Sequence, residues 1–329
     1  MFQFLQRNSS INFILLPLVV LLLWGTELMH PQFTFHYYDQ SPMVLYKPLM
    51  ALQNWSSFAG VLVSLLILTV NILLLMRVNS LLRLIEKRST LYIFLFVVFS
   101  ASLQDFKQLN PMQPALTFLI LGFSSLFQMY KNEKDLKTIF ESSLCFSIAT
   151  LFYAPTLYFA VVVLIGLLIL TPFYWRQWLS AIIGYSLPIG IVFALSYCFN
   201  SFPEQWAVWN ANLFVKQDGS FKMLLPLCFS IYLGILFVCG VLYVFSDGIR
   251  KVSTRKYYSI FFVFMLLILS IYFFVPFVSY SMLFFGLLPA AMFISNYMVN
   301  IKRKFFAEIL FELIIVFAVL VQVFPNMTI

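Results

Sequence analysis

The sequence predicts an all-α fold: a polytopic transmembrane helical bundle. Three observations carry this reading. Of 329 residues, 62% are apolar and 10% are charged, against roughly 25% charged in ordinary soluble domains. The apolar residues form unbroken runs near the length that a bilayer-spanning helix needs, about 20 residues. The basic residues fall between those runs, and they alternate in density from one gap to the next. The same arithmetic excludes a soluble globular domain, a disordered chain and a secreted disulfide scaffold. A β-barrel is excluded because its strands alternate apolar and polar residues.

Taken in order, the apolar runs give about 11 spans. They are Ser10–Leu28, Ser57–Met76, Thr90–Leu103, Gln113–Tyr130, Ile139–Tyr153, Thr156–Thr171, Leu179–Cys198, Phe221–Phe245, Tyr258–Val278, Ser281–Met298 and Phe306–Phe324. The third and fifth are short for a full crossing and read as tilted partners or half-helices. The fifth and sixth are split by Tyr153-Ala154-Pro155, a turn signal between apolar runs. The first run follows Arg7 and ends in Trp24-Gly25-Thr26-Glu27. It lacks a small-x-small cleavage site, so it reads as a retained span rather than a signal peptide.

Charge placement sets the orientation. With the N-terminus cytoplasmic, the cytoplasmic side holds Arg7, Arg77, Arg83, Lys87, Arg88, Lys131, Lys134, Lys137 and Arg176. It also holds Arg250, Lys251, Arg255, Lys256, Lys302, Arg303 and Lys304. The outer side holds Lys47, Lys107, Lys216 and Lys222. Cytoplasmic loops carry the excess of Lys and Arg, and the Arg176 turn is the weakest member of the set. Merging the fifth and sixth spans would move the Arg250 and Lys302 clusters outside, so two spans are expected. The net charge of +8 then follows from topology and attraction to anionic membrane lipids. It calls for no nucleic-acid partner.

The chain reads as a single integral membrane domain over residues 1–329, with outer loops at about 29–56 and 199–220. In the first loop, apolar residues after Pro48 recur at helical spacing up to Trp55. This suits a short helix lying in the membrane interface; a surface loop anchored by its aromatics is the alternative. In the second, Trp206 and Trp209 lie three apart. They suit one face of another interfacial helix, and fit an aromatic belt at the interface or a stacking platform for a sugar.

No cofactor is expected. Cys145, Cys198, Cys228 and Cys239 sit in or at the ends of spans and form no CxxC pair, so they read as packing residues. The two histidines, His30 and His36, lie in one loop. Neither a clustered metal site nor a haem ligand within a span follows from this set.

Candidate chemistry lies with the acids. Glu308 and Glu312 share a helical face at i and i+4. A carboxylate at mid-bilayer costs about 2.5–3.5 kcal/mol on insertion scales, which marks Glu312 as a candidate functional residue. Together with Glu141 and spans interrupted by Pro188, Pro226, Pro276 and Pro289, these acids suit a proton relay in a transporter. Pairing of the two glutamates with the Lys302 cluster is the structural alternative. On the outer side, Asp39 and Asp105 are candidates to deprotonate an acceptor hydroxyl. Lys47, Lys107, Lys216 and Lys222 are candidates to hold a leaving phosphate, and ordinary solvated loop charges are the alternative.

A first span, a long outer loop with an acid and an interfacial helix, then about ten more spans, resembles the GT-C superfamily of membrane glycosyltransferases. Residues 110–116, the Lys131-Asn132-Glu133-Lys134 loop and the Ser147–Leu168 hairpin follow the cadence of their third to sixth spans. The resemblance implies transfer or polymerisation of polyprenyl-phosphate-linked sugars at the periplasmic face, for envelope glycan assembly. Asp39 takes the place of the catalytic acid and Asp105 that of a second outer acid. The chain departs from the pattern: its acid-x-acid sequence, Glu133-Lys134-Asp135, falls on the cytoplasmic side, the hairpin after the fifth span holds no conspicuous Arg or Lys, and Tyr153 and Ala154 stand where a polar residue is expected. A second resemblance rests on residues 149–157, 170–178 and 184–188. These look like an uncharacterised family of polytopic inner-membrane proteins from Bacteroidetes, which implies a multi-pass protein of a bacterial inner membrane. Three activities are therefore carried forward: sugar transfer, proton-coupled transport or flipping, and a non-catalytic subunit of an envelope complex.

Overall fold

The structure is a computed structural model. It describes residues 10–31, 37–85, 89–102, 104–131, 135–214, 251–275, 278, 280–300 and 304–323, with eight residues between 234 and 244. Every helix or strand element among them is helical. The helices are α1 (Ser10–Met29), α2 (Tyr37–Gln40), α3 (Lys47–Trp55), α4 (Ser57–Leu82), α5 (Leu91–Ser100), α6 (Gln104–Lys107) and α7 (Met112–Gln128). They continue with α8 (Leu136–Phe152), α9 (Ala160–Leu170), α10 (Trp175–Cys198), α11 (Phe202–Phe214), α12 (Val252–Phe274), α13 (Leu283–Asn300) and α14 (Lys304–Val323).

Local chemistry explains the boundaries. Pro48 stands in the first turn of α3, where its missing N–H costs nothing. Ser56 is extended, so it ends α3, and its hydroxyl accepts from the Ala59 N–H to cap α4. Arg83 ends α4 in the left-handed conformation, with φ 50°. Asp135 caps α8 by accepting from the Lys137 N–H at 3.0 Å. Tyr153 ends α8 in an extended conformation, and a 3-10 turn over Ala154–Phe159 leads into α9. The break expected at Tyr153-Ala154-Pro155 is therefore present. Pro188 and Pro289 instead lie within the continuous helices α10 and α13. Pro226 and Pro276 lie outside the described residues.

Side-chain pairings give the direction of each helix. Ser142 donates to the Gly122 carbonyl and Leu126 touches Gly166, so α7, α8 and α9 alternate in direction. Ser180 donates to the Leu136 carbonyl, which starts α10 at the same end as α8. One end of the bundle gathers Asp39, Tyr46, Leu109, Leu151 and Asn212. The other gathers Tyr130, Leu170 and Lys256, where the Lys256 ammonium donates to the Leu170 carbonyl and sits 5.1 Å from the centre of the Tyr130 ring. The two loops expected on the outer side thus share one end.

Small residues let α8 sit close to its neighbours, as in membrane bundles where no hydrophobic drive separates helix from lipid. A Cβ on Gly122 would stand 2.7 Å from the Phe146 ring, and one on Gly184 would stand 2.8 Å from the Phe140 carbonyl oxygen. Aromatics fill the centre: Phe123 meets Phe146, Phe261 and Phe264 at ring separations of 5.1, 5.2 and 4.9 Å. Such pairs add about 0.5–1.5 kcal/mol each beyond area burial.

Among the described residues, four helical segments are long and apolar enough to cross a membrane: Ser57–Leu82, Trp175–Cys198, Val252–Phe274 and Tyr280–Asn300. The last is the centre of the bundle, with 94% of its apolar window buried against 22% for Trp175–Cys198. Leu15–Met29, Leu91–Ser100, Met112–Gln128 and Ala154–Leu170 are shorter apolar helices. The third and fifth expected spans, judged short from sequence, correspond to the 10-residue α5 and the 17-residue α8. Most of the expected eighth span falls outside the described residues.

Candidate functional site

The Asp39 end carries a buried polar network drawn from five parts of the chain. Its centre is the short segment from α6 into α7. Asn110 donates to the Asp105 and Gln108 carbonyls at 3.1 and 3.3 Å, and its Oδ1 accepts from the Gln113 N–H at 3.0 Å. The Gln113 amide in turn donates to Ser64 Oγ and to the carbonyls of Phe106 and Gln108. These bonds satisfy a turn that is buried from Phe106 to Asn110 and would otherwise hide bare carbonyls.

That turn fixes Lys107. Its carbonyl accepts from Ser64 Oγ at 2.9 Å and from the Trp24 indole at 3.2 Å. Its residue is 3% exposed, as is Glu27 at the close of α1, and Asp39 is 4% exposed. Burial pushes the Lys107 ammonium below the ordinary lysine range, and the Glu27 carboxylate opposes that shift. Tyr46 ties this region to the first loop. Its phenol sits 3.2 Å from Asp39 Oδ1 and 3.4 Å from the Leu109 carbonyl. Burial first, and then the facing Asp39 carboxylate, push that phenol above its usual range.

The candidates from sequence are distributed as follows. Asp39 and Lys107 enter the same network, bridged by Tyr46 and Leu109. Asp105 is half-buried and contributes its carbonyl. Lys47 is exposed at the start of α3. Lys216 and Lys222 lie outside the described residues. Trp206 is 53% exposed and Trp209 is 5% exposed, and both rings reach Phe193. Trp209 belongs to an apolar cluster with Met43, Leu151, Ala154 and Leu213, so it joins the second loop to the first. Glu141 is exposed and pairs with Lys137 at 3.7 Å, Glu308 is half-buried, and Glu312 is exposed while its neighbour Phe311 is buried.

Participants not singled out from sequence include Glu27, Tyr46, Ser64, Asn110 and Gln113. The available signal was a carboxylate closing the first apolar run and polar residues beginning or interrupting two others. Among the described residues there is no group of three His, Cys, Asp or Glu placed to hold a metal ion.

Apolar grooves open on the flanks of the bundle. One, of about 350 Å³, is lined by Leu45, Pro48, Leu49, Ile67, Val70, Pro114, Thr117, Phe118 and Phe152. It lies under α3, and Tyr46 and Lys47 separate its Leu45 and Pro48 walls in the chain. The second lies between α1, α4 and α5. Neither is lined by Asp39, Asp105, Glu308 or Glu312.

A family model described as a family of unknown function, DUF6427, matches residues 42–328. No curated protein and no solved structure matches the chain.

Proposed function

We propose that this chain, which belongs to the DUF6427 family of unknown function, is a multi-pass inner-membrane protein that acts on a polyprenyl-phosphate-linked sugar during envelope glycan assembly. The observation that carries the reading is the placement of Tyr46. Its hydroxyl holds Asp39, while its chain neighbours are Lys47 and a wall of the groove under α3. An apolar groove takes an isoprenoid tail, an exposed lysine at its rim meets a phosphate, and a carboxylate one side chain away takes a proton.

In this mechanism the acceptor hydroxyl replaces the Tyr46 phenol as donor to Asp39. Asp39 removes the acceptor proton as the acceptor oxygen attacks the anomeric carbon. The bond from that carbon to the phosphate oxygen breaks, and the phosphate leaves as an anion. Lys47 and Lys107 offset its charge. The Glu27 carboxylate favours the charged form of Lys107, opposing the effect of its burial.

Gene deletion followed by profiling of lipid-linked and surface glycans tests the class of function. Loss or shortening of one glycan, restored by the wild-type gene, supports the reading. An unchanged glycan profile contradicts it and favours a non-catalytic membrane subunit. For that second reading the supporting observation is the flank of α10, where Leu179, Ile182, Ile183, Leu187, Ile191 and Leu195 are all exposed.

A further inference from the structure

The groove between α1, α4 and α5 is distinct from the one under α3 and points to a different ligand. It measures about 480 Å³, and Pro17, Val20, Leu65, Ile72, Met76 and Ile93 are among its walls. Pro17 lies inside α1, where a proline removes one intrahelical bond and bends the helix. Thr69, on the same wall, spends its hydroxyl on the Leu66 carbonyl at 2.7 Å, so it offers the groove no free donor.

The groove is directional. Leu65, Thr69, Ile72 and Met76 follow a 4-3-4 spacing along one stripe of α4. From Leu65 to Met76 they cover about 16 Å at 1.5 Å per residue. The stripe runs away from the Asp39 end, because Ser64 touches the Lys107 carbonyl and Asn71 touches the Gln113 carbonyl before Met76 is reached. Beyond Met76 the next residue is Arg77, and the same stripe continues through Asn79 to Arg83. Both arginines are exposed, and neither has an ion-pair partner among the described residues. Arg83 is held in place rather than left on a frayed end. Its N–H donates to the Asn79 carbonyl at 2.8 Å, and Asn79 Oδ1 accepts from the Ile85 N–H at 3.0 Å.

We propose that this groove binds one anionic membrane phospholipid, with an acyl chain between α1 and α4 and its phosphate at Arg77 and Arg83. An apolar trough whose α4 stripe leads past Met76 to the exposed Arg83, with the exposed Arg77 one residue beyond Met76, matches a long hydrocarbon chain with an anion at its end. A neutral helix of a partner protein would fill the trough and leave both charges unmet. Guanidinium groups bind phosphate oxygens through paired N–H donors, and near a membrane surface each basic residue contributes attraction to anionic lipid. The site lies toward the opposite end of α4 from Asp39 and takes no part in the proposed transfer.

The test uses the full-length protein in nanodiscs made from equal parts phosphatidylcholine and phosphatidylglycerol. Native mass spectrometry of the released protein reads which lipid stays bound. Wild type is expected to retain phosphatidylglycerol over phosphatidylcholine by about tenfold. R77Q/R83Q is expected to lose that preference, and Thr69→Trp, which fills the trough, to lose retention of both lipids. Leu66→Trp, on a neighbouring exposed face outside the groove, is expected to behave as wild type. Equal retention of the two lipids by wild type would overturn the proposal. So would unchanged preference in R77Q/R83Q, or a stoichiometric protein chain bound in place of lipid and displaced by Thr69→Trp. Should Thr69→Trp fail to fold, the arginine pair decides the matter alone.

Discussion

Asn212 reaches across 171 positions of sequence to donate to the Ser41 carbonyl at 2.8 Å. This bond joins α11 to the loop that carries Asp39, and Trp209 packs beside it against Met43 and Leu151. The second loop therefore braces the first. Asn212→Ala removes the neutral hydrogen bonds to the Ser41 carbonyl and Oγ at the junction, each worth about 0.5–1.5 kcal/mol. Thermal unfolding in detergent is expected to show a small drop in Tm, with faster proteolytic cleavage near residues 41–43. Unchanged cleavage would mean that the loops hold their positions independently.

Close helix contact in the bundle depends on glycine at defined points. Gly184→Ala would drive a methyl group to 2.8 Å from the Phe140 carbonyl oxygen, whereas Gly190, on the same helix, has nothing within 4 Å of an added Cβ. Overpacking of this kind costs about 1–3 kcal/mol. Gly184→Ala is expected to lower Tm and Gly190→Ala to leave it unchanged or raise it, since alanine favours helix. Equal effects would contradict the packing described between α8 and α10.

Glu27 and Lys107 form a testable charge pair. Removing one member of a buried pair typically costs about 3 kcal/mol or more, while replacing both with apolar or neutral groups is often neutral or stabilising. E27Q alone is expected to lower Tm at neutral pH, and E27Q/K107M to recover it. The pH dependence has a definite sign. Lys107 in the fold gives up its proton more readily than in the unfolded chain, so between its lowered pKa and about 10.4 the unfolded state binds more protons. Stability from this group therefore rises with pH in that window, and K107M should lack the rise. The scan is best kept below pH 10: the Tyr46 pKa is raised, so its contribution falls as pH climbs past the ordinary phenol value.

Much of the architecture is legible in sequence because the bilayer imposes simple rules on length and polarity. The helix after Pro48, the break at Tyr153 and the shared end of the two long loops all follow from such rules. The site is less legible. Glu27 and Lys107 belong to α1 and α6, with α2 to α5 between them, and no local pattern links them. Trp206 and Trp209 carry identical chemistry three residues apart, yet the first is exposed and the second is buried by contacts with Met43 and Leu151. Helical spacing gives a common face, but only the tertiary partner decides which ring is covered. Glu312 illustrates the converse: its depth along a span is readable, and its outward direction on α14 depends on Phe311 packing against Phe94 at 5.4 Å.

Rescue of a deletion strain at matched protein levels decides whether the Asp39 carboxylate acts as the proposed base. Asp39→Asn keeps the side-chain shape and retains an oxygen to accept from Tyr46, but cannot act as a base. Wild type is expected to restore the lipid-linked and surface glycan profile and Asp39→Asn to fail to do so, while the purified variant keeps a Tm close to wild type. Full rescue by Asp39→Asn would contradict the account and make the Asp39–Tyr46 contact a structural clasp.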